Sequence, residues 1–492
     1  MHKILLILLI GTLAYADTPV EYLHKQPPPV FKKEHGLYPL SRWGWSLDFD
    51  TNKEFADNWG YALEFGAYAT PQAVQKLDDP HSFQSKVCAL VASNPDKYKL
   101  AVIPDRPLIK MAKENRLPEA YWLKDKDGKK LDAPTWKTKN PEAPQTIFKE
   151  AAKITADSLK RIREICSISI VLDGGENGLS EFGHTYPYLK KDPSIFSAPK
   201  KELWDYYSKH KYRTTMPNTL AIREAIPDRK VHVWYHFGGL PYWTDYRWSW
   251  NYEYMRKLAD MPGQSLYYKQ FNDGWEADDD LLTFFLCSYA QAAEYGDKLS
   301  YNWLCAGWKE NQFSDIDRYM GFLKCLYTAG QVGGVAGYFS YPKDKFKNDF
   351  GSKPPHWLKQ MIALSRVHAF FSHFDDFILK GELLPGPNTH ALVKKRVGLD
   401  LPAYEFPTGD KNIRVLVRKN KDECLVTAWA AVGDSKEVEV FIDELGEINL
   451  LARPEGSVYK ISIKEQIRFE PPELHIQLLD KNGLMPSQGF KE

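Results

Sequence analysis

The sequence predicts an α/β fold, a (β/α)8 TIM barrel followed by a small C-terminal antiparallel β-sandwich domain. Two observations support this prediction. Up to residue 378, eight short runs rich in aliphatic, β-branched and aromatic residues alternate with segments of helical periodicity. Beyond residue 385 the helical segments stop, and short alternating strands follow one another across turn residues.

The first 16 residues have the pattern of an export signal. His2 and Lys3 precede an apolar run over 4–10, and Ala14-Tyr15-Ala16 forms a small-residue cleavage site. The apolar run is too short to cross a bilayer, and no later stretch is long and apolar enough. We therefore predict cleavage after Ala16 and a secreted or periplasmic mature protein without a membrane span.

The predicted barrel occupies residues 17–384 and begins with an irregular leader up to residue 37. Its strands are predicted at 43–49, 61–67, 100–103, 167–172, 230–237, 265–271, 299–306 and 334–341. Helical periodicity is present at 71–91, 146–166, 203–207, 219–225, 281–295, 316–329 and 356–378. A doubly wound open sheet is the alternative architecture, but no Gly-x-Gly-x-x-Gly fingerprint follows the first strand.

The second predicted domain spans residues 385–492 and begins at a Pro- and Gly-rich stretch. Turn residues separate its short strands, and long helical stretches are absent from its sequence. The strands are predicted at 413–418, 423–429, 436–441, 447–451 and 474–478. We expect this sandwich to pack against the barrel.

The composition and the missing motifs exclude several function classes. With 65 basic and 64 acidic side chains in 492 residues, the chain has no general attraction to nucleic acid or to a membrane surface. The six cysteines fall inside predicted helices or strands without a Cys-x-x-Cys pair, which predicts buried free thiols. No zinc-type His/Cys spacing, Walker loop or Gly-x-Ser-x-Gly elbow is present, so we expect neither a metal nor another cofactor.

Acidic side chains follow the ends of several predicted strands. A barrel brings the carboxyl ends of its strands to one rim, so these acids are expected to converge, although any single one is more often a solvated loop charge. Cleavage of a glycosidic bond uses two carboxyl groups: one protonates the leaving oxygen, and the other attacks or activates water. The catalytic candidates are Glu176 as general acid/base, Glu310 as second carboxylate, and Asp173 and Glu276 as alternatives to Glu310.

Aromatic side chains are frequent in the predicted loops, and they suit a saccharide. Trp and Tyr rings stack on the apolar C–H faces of sugars, and the loop at 238–250 is rich in both. The alternative is that these rings form a satellite hydrophobic cluster under a long loop. The candidates for substrate binding are Asp48, Arg106, His184, His236, Trp243, Trp248, Asp273, Trp275, Trp303 and Trp308.

In this layout the chain resembles secreted retaining glycoside hydrolases of the large (β/α)8 group. The resemblance implies an acid/base after strand four, a nucleophile after strand seven and a trailing β-sandwich, and so points to Glu176 and Glu310. That group usually has Asn-Glu after strand four, whereas this chain has Gly175-Glu176-Asn177. Asp173-Gly174-Gly175-Glu176 is also similar to barrel hydrolases that use the N-acetyl group of the substrate, in which Asp173 would be the second acid.

We therefore predict a secreted glycoside hydrolase that cleaves the O-glycosyl bonds of a polysaccharide or oligosaccharide. A non-catalytic carbohydrate-binding barrel would keep the tryptophans but lack a spaced acid pair. A polysaccharide lyase would use a Tyr/His/Arg set, for which His236, Tyr242 and Arg247 are available.

Cations near the predicted strand ends favour a sulfated or otherwise anionic glycan, although they would equally balance the acids of the site. These cations are Arg42, Arg106, His184, His236, Arg247, Lys269 and Lys309.

Overall fold

A computed structural model gives the fold of the chain. It describes residues 18–43, 48–66, 68–122, 124, 127–130, 140, 142–174, 200–236, 250–267, 281–305, 315–333, 335–337, 356–390, 394, 398–465 and 473–479. The predicted export signal at 1–16 and most of the aromatic loop at 238–250 lie outside these residues.

Eight parallel strands form one sheet in the order β1-β8-β7-β6-β5-β4-β3-β2. They are β1 (Ser41–Trp43), β2 (Leu63–Glu64), β3 (Leu100–Val102), β4 (Ile170–Gly174), β5 (Val231–His236), β6 (Met261–Tyr267), β7 (Trp303–Cys305) and β8 (Val335–Gly337). From β2 to β8, strands that are consecutive in sequence are neighbours in the sheet, and β1 pairs with β8. A parallel bridge between Leu40 and Tyr61, which precede β1 and β2, also joins the two strands at the ends of this order.

Helices separate the parallel strands and cover the sheet, which confirms the predicted α/β alternation. They are α1 (Pro19–Lys25), α2 (Phe49–Asn58), α3 (Pro71–Gln75), α4 (Phe83–Ser93), α5 (Pro107–Lys113), α6 (Gln145–Arg163), α7 (Lys200–Ala225), α8 (Tyr252–Leu258), α9 (Leu281–Glu294), α10 (Ile316–Thr328), α11 (His356–Ser372) and α12 (Asp375–Lys380). No helix among the described residues has the length and apolar character needed to cross a membrane.

Apolar stripes hold these helices on the sheet. Leu159 and Ile162 of α6 pack in one cluster with Val102 of β3 and Val171 of β4, and Ile222 of α7 belongs to the same cluster. The spacing of the two α6 residues places them on one face of the helix, so burial of that face fixes α6 beside β3 and β4.

Two predictions at the start of the chain are wrong. The first strand ends at Trp43, and Phe49, predicted as strand, begins α2 because Asp48 caps that helix. The leader, predicted to be irregular, contains α1, whose first turn is closed by a capping box between Thr18 and Glu21. In both places the capping residue overrides a weak local pattern.

In the C-terminal part that the structure describes, antiparallel strands predominate, as predicted, and Lys394 is helical. Five antiparallel strands have the order β15-β14-β11-β10-β9, and β12 pairs with β13. The strands are β9 (Glu382–Leu383), β10 (Ile413–Asn420), β11 (Glu423–Ala430), β12 (Lys436–Ile442), β13 (Gly446–Ala452), β14 (Ser457–Glu465) and β15 (Glu473–Leu478). Side chains of both sheets share one hydrophobic cluster, which includes Val417 of β10 and Val440 of β12. The sequence did not predict β14, because Gly456 and Ser457 indicated only a turn.

Polar contacts fasten the C-terminal strands to α10 and α12. Lys324 Nζ donates to Gly456 O at 2.7 Å, and the hydroxyls of Thr328 and Thr427 are 2.6 Å apart. Arg418 of β10 is fully buried and donates to the carbonyl oxygens of Phe377 (2.7 Å), Ile378 (2.8 Å), Gly381 (3.1 Å) and Thr328 (3.3 Å). The C-terminal sheets therefore contact these helices through buried hydrogen bonds.

Five of the six cysteines are free and buried, as predicted, and the side chain of Cys305 is outside the description. Cys88, Cys166, Cys287, Cys325 and Cys424 are all buried and unbridged. Among them, Cys88 of α4 and Cys166 share one hydrophobic cluster.

The segment before β1 packs on α11 through a cluster of rings. The rings of Phe31 and His35 lie 5.9 and 6.0 Å from that of His368, and Tyr327 Oη is 2.8 Å from His368 Nδ1. Burial, reinforced by the neighbouring His35, lowers the pKa of His368 to about 3. In the unfolded chain this histidine takes up a proton as the pH falls through about 6.5. In the folded protein it stays neutral until the pH approaches 3.

This histidine predicts a loss of stability in mild acid. The pKa of His368 in the folded protein lies below the unfolded value of about 6.5. Its contribution to the free energy of unfolding is therefore complete above pH 6.5 and is lost as the pH falls from 6.5 towards 3. Between pH 7 and pH 5 we expect the wild type to lose about 2 kcal/mol more of its unfolding free energy than His368→Gln. Urea unfolding at both pH values measures this difference.

The control is His475→Gln, which alters an exposed histidine on β15. It should keep the pH dependence of the wild type. A His368→Gln protein that loses as much stability as the wild type would assign the acid sensitivity to other groups.

Candidate functional site at the carboxyl ends of the strands

Most of the predicted site residues lie outside the described residues, and their roles stay predictions. These are Glu176, His184, Trp243, Trp248, Asp273, Trp275, Glu276, Trp308 and Glu310. His236 is the last residue of β5. The structure places the side chains of the other four, which are Asp48, Arg106, Asp173 and Trp303.

Asp173 is the fourth residue of β4 and is 8% exposed. Its Oδ1 accepts a hydrogen bond from the amide of Gly174 at 2.7 Å, and its Oδ2 accepts one from Asn218 Nδ2 at 3.2 Å. His232 Nε2 lies 3.5 Å from the same Oδ2. Because Asn218 belongs to α7 and His232 to β5, this carboxylate links the end of β4 to both neighbouring elements.

A cleft opens beside Asp173 at the carboxyl ends of β3, β4 and β5. It is bordered by α5, α6 and α7 and offers about 90 Å³ to water-sized molecules. Asp105 and Arg106, which follow β3, lie in its wall together with Asp173, and the side chain of Trp234 from β5 also lines it. Two acids and one predicted binding residue are thus brought together at one place.

Asp105 and Arg106 give this cleft its charge. Burial raises the pKa of Asp105 above its ordinary value of 3.8, and the hydrogen bond from the amide of Arg106 (2.7 Å) offsets only part of that rise. The Arg106 guanidinium donates to Gly174 O at 2.5 Å and lies 5.4 Å from the centre of the Tyr68 ring. A carboxyl group with a raised pKa keeps its proton to higher pH, which is what a general acid needs.

A buried ion pair lies at the ends of β1 and β2. Leu63 and Phe65 pack in the same cluster as α3 and α4, so the intervening Glu64 faces the opposite side of the sheet, where its Oε2 is 2.5 Å from an Arg42 nitrogen. Asn52 of α2 accepts from Arg42 and from the amide of Glu64, and donates to Glu64 O, each at 3.2 Å. The Asn52 side chain thereby takes the place of a strand partner at this edge of β2.

Two predicted binding residues are placed away from the cleft. Asp48 accepts hydrogen bonds from the amide (2.8 Å) and the hydroxyl (2.7 Å) of Thr51, so both of its oxygens serve the N-terminus of α2. Trp303 is 1% exposed inside the main hydrophobic cluster. The structure corrects the expectation for Trp303, because a ring buried on β7 has no face to offer a sugar.

Sequence reasoning missed Asn52, Asn218 and His232. The two asparagines act across the fold, 12 and 45 residues from their acidic partners, so no local pattern reveals them. His232 alternates with Val231 and Val233 on β5, and a lone histidine in an apolar strand was the only available signal. Among the described residues, no group of three or more His, Cys, Asp and Glu side chains is arranged to hold a metal ion.

No protein-family model and no curated protein sequence matches the chain. Among solved structures, trehalose-6-phosphate hydrolase from Bacillus licheniformis has a TM-score of 0.47 at 8% identity, with 86% of this chain and 99% of that chain covered. The alpha-amylase from Geobacillus thermoleovorans in complex with acarbose gives 0.42 at 11% identity, with 77% and 81% covered. Cyclic alpha-maltosyl-(1→6)-maltose hydrolase from Arthrobacter globiformis gives 0.42 at 10% identity, with 94% and 95% covered. At such low similarity an activity has to be inferred from the residues of this chain.

Proposed function

We propose that this protein is an exported glycoside hydrolase that cleaves O-glycosyl bonds in a polysaccharide or oligosaccharide. The observation that carries the proposal is the meeting of Asp105, Arg106 and Asp173 in one cleft at the carboxyl ends of β3 and β4. Glu176, the predicted acid/base, follows the last residue of β4 by two positions. Acids from several strand ends at one rim are what glycosidic cleavage in an α/β barrel requires.

The architecture in this proposal is a closed (β/α)8 barrel with a C-terminal β-sandwich. The bridge between Leu40 and Tyr61 supports closure, since it pairs the segments that lead into the two end strands of the parallel sheet. The hydrophobic cluster shared by the two antiparallel sheets supports the sandwich. Export rests on the sequence pattern of residues 1–16.

In the mechanism we propose, Glu176 protonates the leaving oxygen while Glu310 attacks the anomeric carbon. A covalent glycosyl-enzyme forms, and a water that Glu176 deprotonates then releases the sugar. Glu310 follows the last residue of β7 by five positions, which supports the proposal that it lies at the same rim as Glu176. Asp173 and Glu276 are the alternatives for the second carboxylate.

An anionic glycan is the substrate class that the predicted cations favour. Arg42 supports it least, because this guanidinium is buried and paired with Glu64. Arg106 supports it more, since it lines the cleft. Turnover that falls as the salt concentration rises, on a sulfated or uronate-containing glycan, is the expected result.

The proposed activity is tested by incubating the purified protein with a panel of neutral and sulfated polysaccharides. New reducing ends without unsaturated products are the expected result. Unsaturated products would indicate a lyase. Binding to a glycan without any cleavage would indicate a carbohydrate-binding barrel and would contradict the proposal.

The nucleophile is identified by azide rescue. Glu310→Ala should lose hydrolysis and regain turnover in azide with a glycosyl azide product, because the small anion enters the space of the missing carboxylate. Glu276→Ala and Asp173→Ala are the matched comparisons, and product analysis by mass spectrometry provides the measurement. Full activity of Glu310→Ala without azide would end its assignment, and rescue in one of the other two variants would transfer the role.

A further inference from the structure

A second cavity lies in the C-terminal part of the chain, apart from the cleft beside Asp173. It offers about 320 Å³ to water-sized molecules, against about 90 Å³ in the cleft, and no described residue lines both. Asn388, most of the segment 403–411 and the first two residues of β10 line it, and we call it the β10 pocket. Its volume reaches the range of about 300–1,000 Å³ that is usual for small-molecule sites.

The backbone fixes Glu405 in the wall of this pocket. Tyr404, directly before it, has a left-handed φ of 58°, which is uncommon for a residue other than glycine. The Tyr404 ring packs in the main hydrophobic cluster, 5.0 Å from the Tyr289 ring, whereas Phe406 packs in the cluster shared by the two antiparallel sheets. Glu405 is therefore held between two anchored rings.

Arg414 of β10 binds the carboxylate of Glu405 with two nitrogens. Its Nε donates to one carboxylate oxygen and its Nη2 to the other at 2.7 Å, and Nη2 also donates to Thr283 Oγ1 at 2.8 Å. The Arg414 side chain is 4% exposed and that of Glu405 is 22% exposed. Because each carboxylate oxygen can accept a second hydrogen bond, Glu405 offers the pocket an acceptor that is already fixed in place.

Asp410 supplies a second acceptor to the pocket. Its Oδ1 accepts from the amide of Asn412 at 3.0 Å, its Oδ2 accepts from Lys436 Nζ at 2.6 Å, and its side chain is 25% exposed. Both acids of the lining are thus paired with a cation, which disfavours a cationic ligand, while their oxygens disfavour an anion. Neutral hydroxyl groups are the donors that suit such acceptors.

The rest of the lining is largely apolar. Ala403, Phe406, Pro407 and Ile413 contribute to it. An apolar wall with a few placed polar groups is the usual construction of a small-molecule site. A sugar matches it, because its hydroxyls donate hydrogen bonds and its C–H groups are apolar.

We propose that the β10 pocket binds a neutral sugar, whose hydroxyls donate to Glu405 and Asp410. The contact of Arg414 with Thr283 places the pocket beside the first turn of α9. A helix that follows a parallel strand begins at the carboxyl end of that strand, and α9 follows β6. A glycan held here would extend along the end of the sheet at which cleavage is proposed, but binding of a single sugar does not depend on the proposed function.

The test follows the methyl resonance of Ile413, which lines the pocket, in NMR titrations of the full chain. The resonance is assigned by its absence from Ile413→Val. The probes are D-glucose, D-galactose, D-mannose and N-acetyl-D-glucosamine, which contain no glycosidic bond to cleave. We expect a saturable shift with at least one sugar and an approximately tenfold higher Kd in Asp410→Ala. The matched control Asp400→Ala should leave the Kd unchanged, since this acid is also paired with a lysine, Lys394 at 2.9 Å, but does not line the pocket.

Glu405→Gln is the second pocket variant and keeps the shape of the side chain. It should also raise the Kd about tenfold, because a carboxylate accepts hydrogen bonds more strongly than an amide oxygen. If its altered contact with the buried Arg414 prevents folding, Asp410→Ala still decides the question. An Ile413 resonance that none of the four sugars shifts, or an Asp410→Ala protein with the Kd of the wild type, would overturn the proposal. A saturable shift with sulfate or methylammonium in place of sugars would overturn the ligand class.

These results are separate from those of the hydrolase assay. A protein that binds a sugar in the β10 pocket but cleaves no glycan would contradict the proposed function alone. A protein that cleaves a glycan while no sugar shifts the Ile413 resonance would contradict only the pocket proposal.

Discussion

Replacement of Glu176 by glutamine is expected to lower the turnover of glycan hydrolysis by about 10²–10⁴-fold while the protein remains folded. Glutamine has the shape of glutamate but cannot transfer the proton that the leaving oxygen requires. The strand that presents this position is rigid, because all five residues of β4 are buried. The measurement is kcat on the best glycan of the panel, with thermal unfolding as the test of folding.

The matched control for this substitution is Glu181→Gln. It makes the same chemical change five positions further along the chain, at an acid to which no catalytic role is assigned. Glu181→Gln should keep the turnover of the wild type. Near-normal turnover of Glu176→Gln, or an equal loss in both variants, would remove Glu176 from the mechanism.

Buried parallel strands were the part of the fold that the sequence predicted best. The runs that became β4 and β5 are rich in β-branched and aliphatic residues and are bounded by turn residues. Burial on both sides demands such a composition, which makes the strand easy to recognise. β1 was predicted poorly, since Ser41–Trp43 is short and polar and the cap at Asp48 starts a helix soon afterwards.

The same burial hides the direction of each side chain. In Ile168-Ser169-Ile170-Val171-Leu172 apolar residues point to both sides, so no alternation shows which face Asp173 joins. Only the contacts with Asn218 and His232 establish that it faces the helices. The sequence could predict the acid at the strand end, but its partners depend on how β5 and α7 pack beside it.

The ion pair at β1 and β2 is another contact that the sequence could not predict. Arg42 was predicted as a cation that favours an anionic substrate, but it pairs with Glu64. Their pairing depends on the bridge between the segments that lead into β1 and β2, and on Asn52, which contacts both residues. Opposite charges on strands that are distant in sequence form an ion pair when the fold brings them together. The local periodicity of the sequence does not show which residues will pair in this way.

Replacement of Arg418 by methionine is expected to lower the unfolding free energy by about 3–5 kcal/mol. The guanidinium donates to four carbonyl oxygens, of which those of Phe377 and Ile378 belong to α12, and Gly381 directly follows that helix. Phe377 O also accepts from the amide of Gly381 at 3.0 Å, but methionine would fill the space without supplying a donor to the other three carbonyl oxygens. Urea unfolding at pH 7 measures the loss.

Arg318→Met is the matched control. It makes the same substitution at another arginine that joins the helices to the C-terminal strands, but at a position that is partly exposed to solvent. Arg318 of α10 donates to Ala430 O at 3.0 Å and to Gly433 O at 2.6 Å, and its side chain is 19% exposed. Water replaces much of what that guanidinium supplies, so we expect a loss of at most about 1 kcal/mol. If both variants lost the same stability, burial of Arg418 would not be what fastens the C-terminal strands to α12. A large loss in Arg418→Met alone would establish that a buried cation bound by backbone carbonyls contributes much more to this junction than the partly exposed Arg318 does.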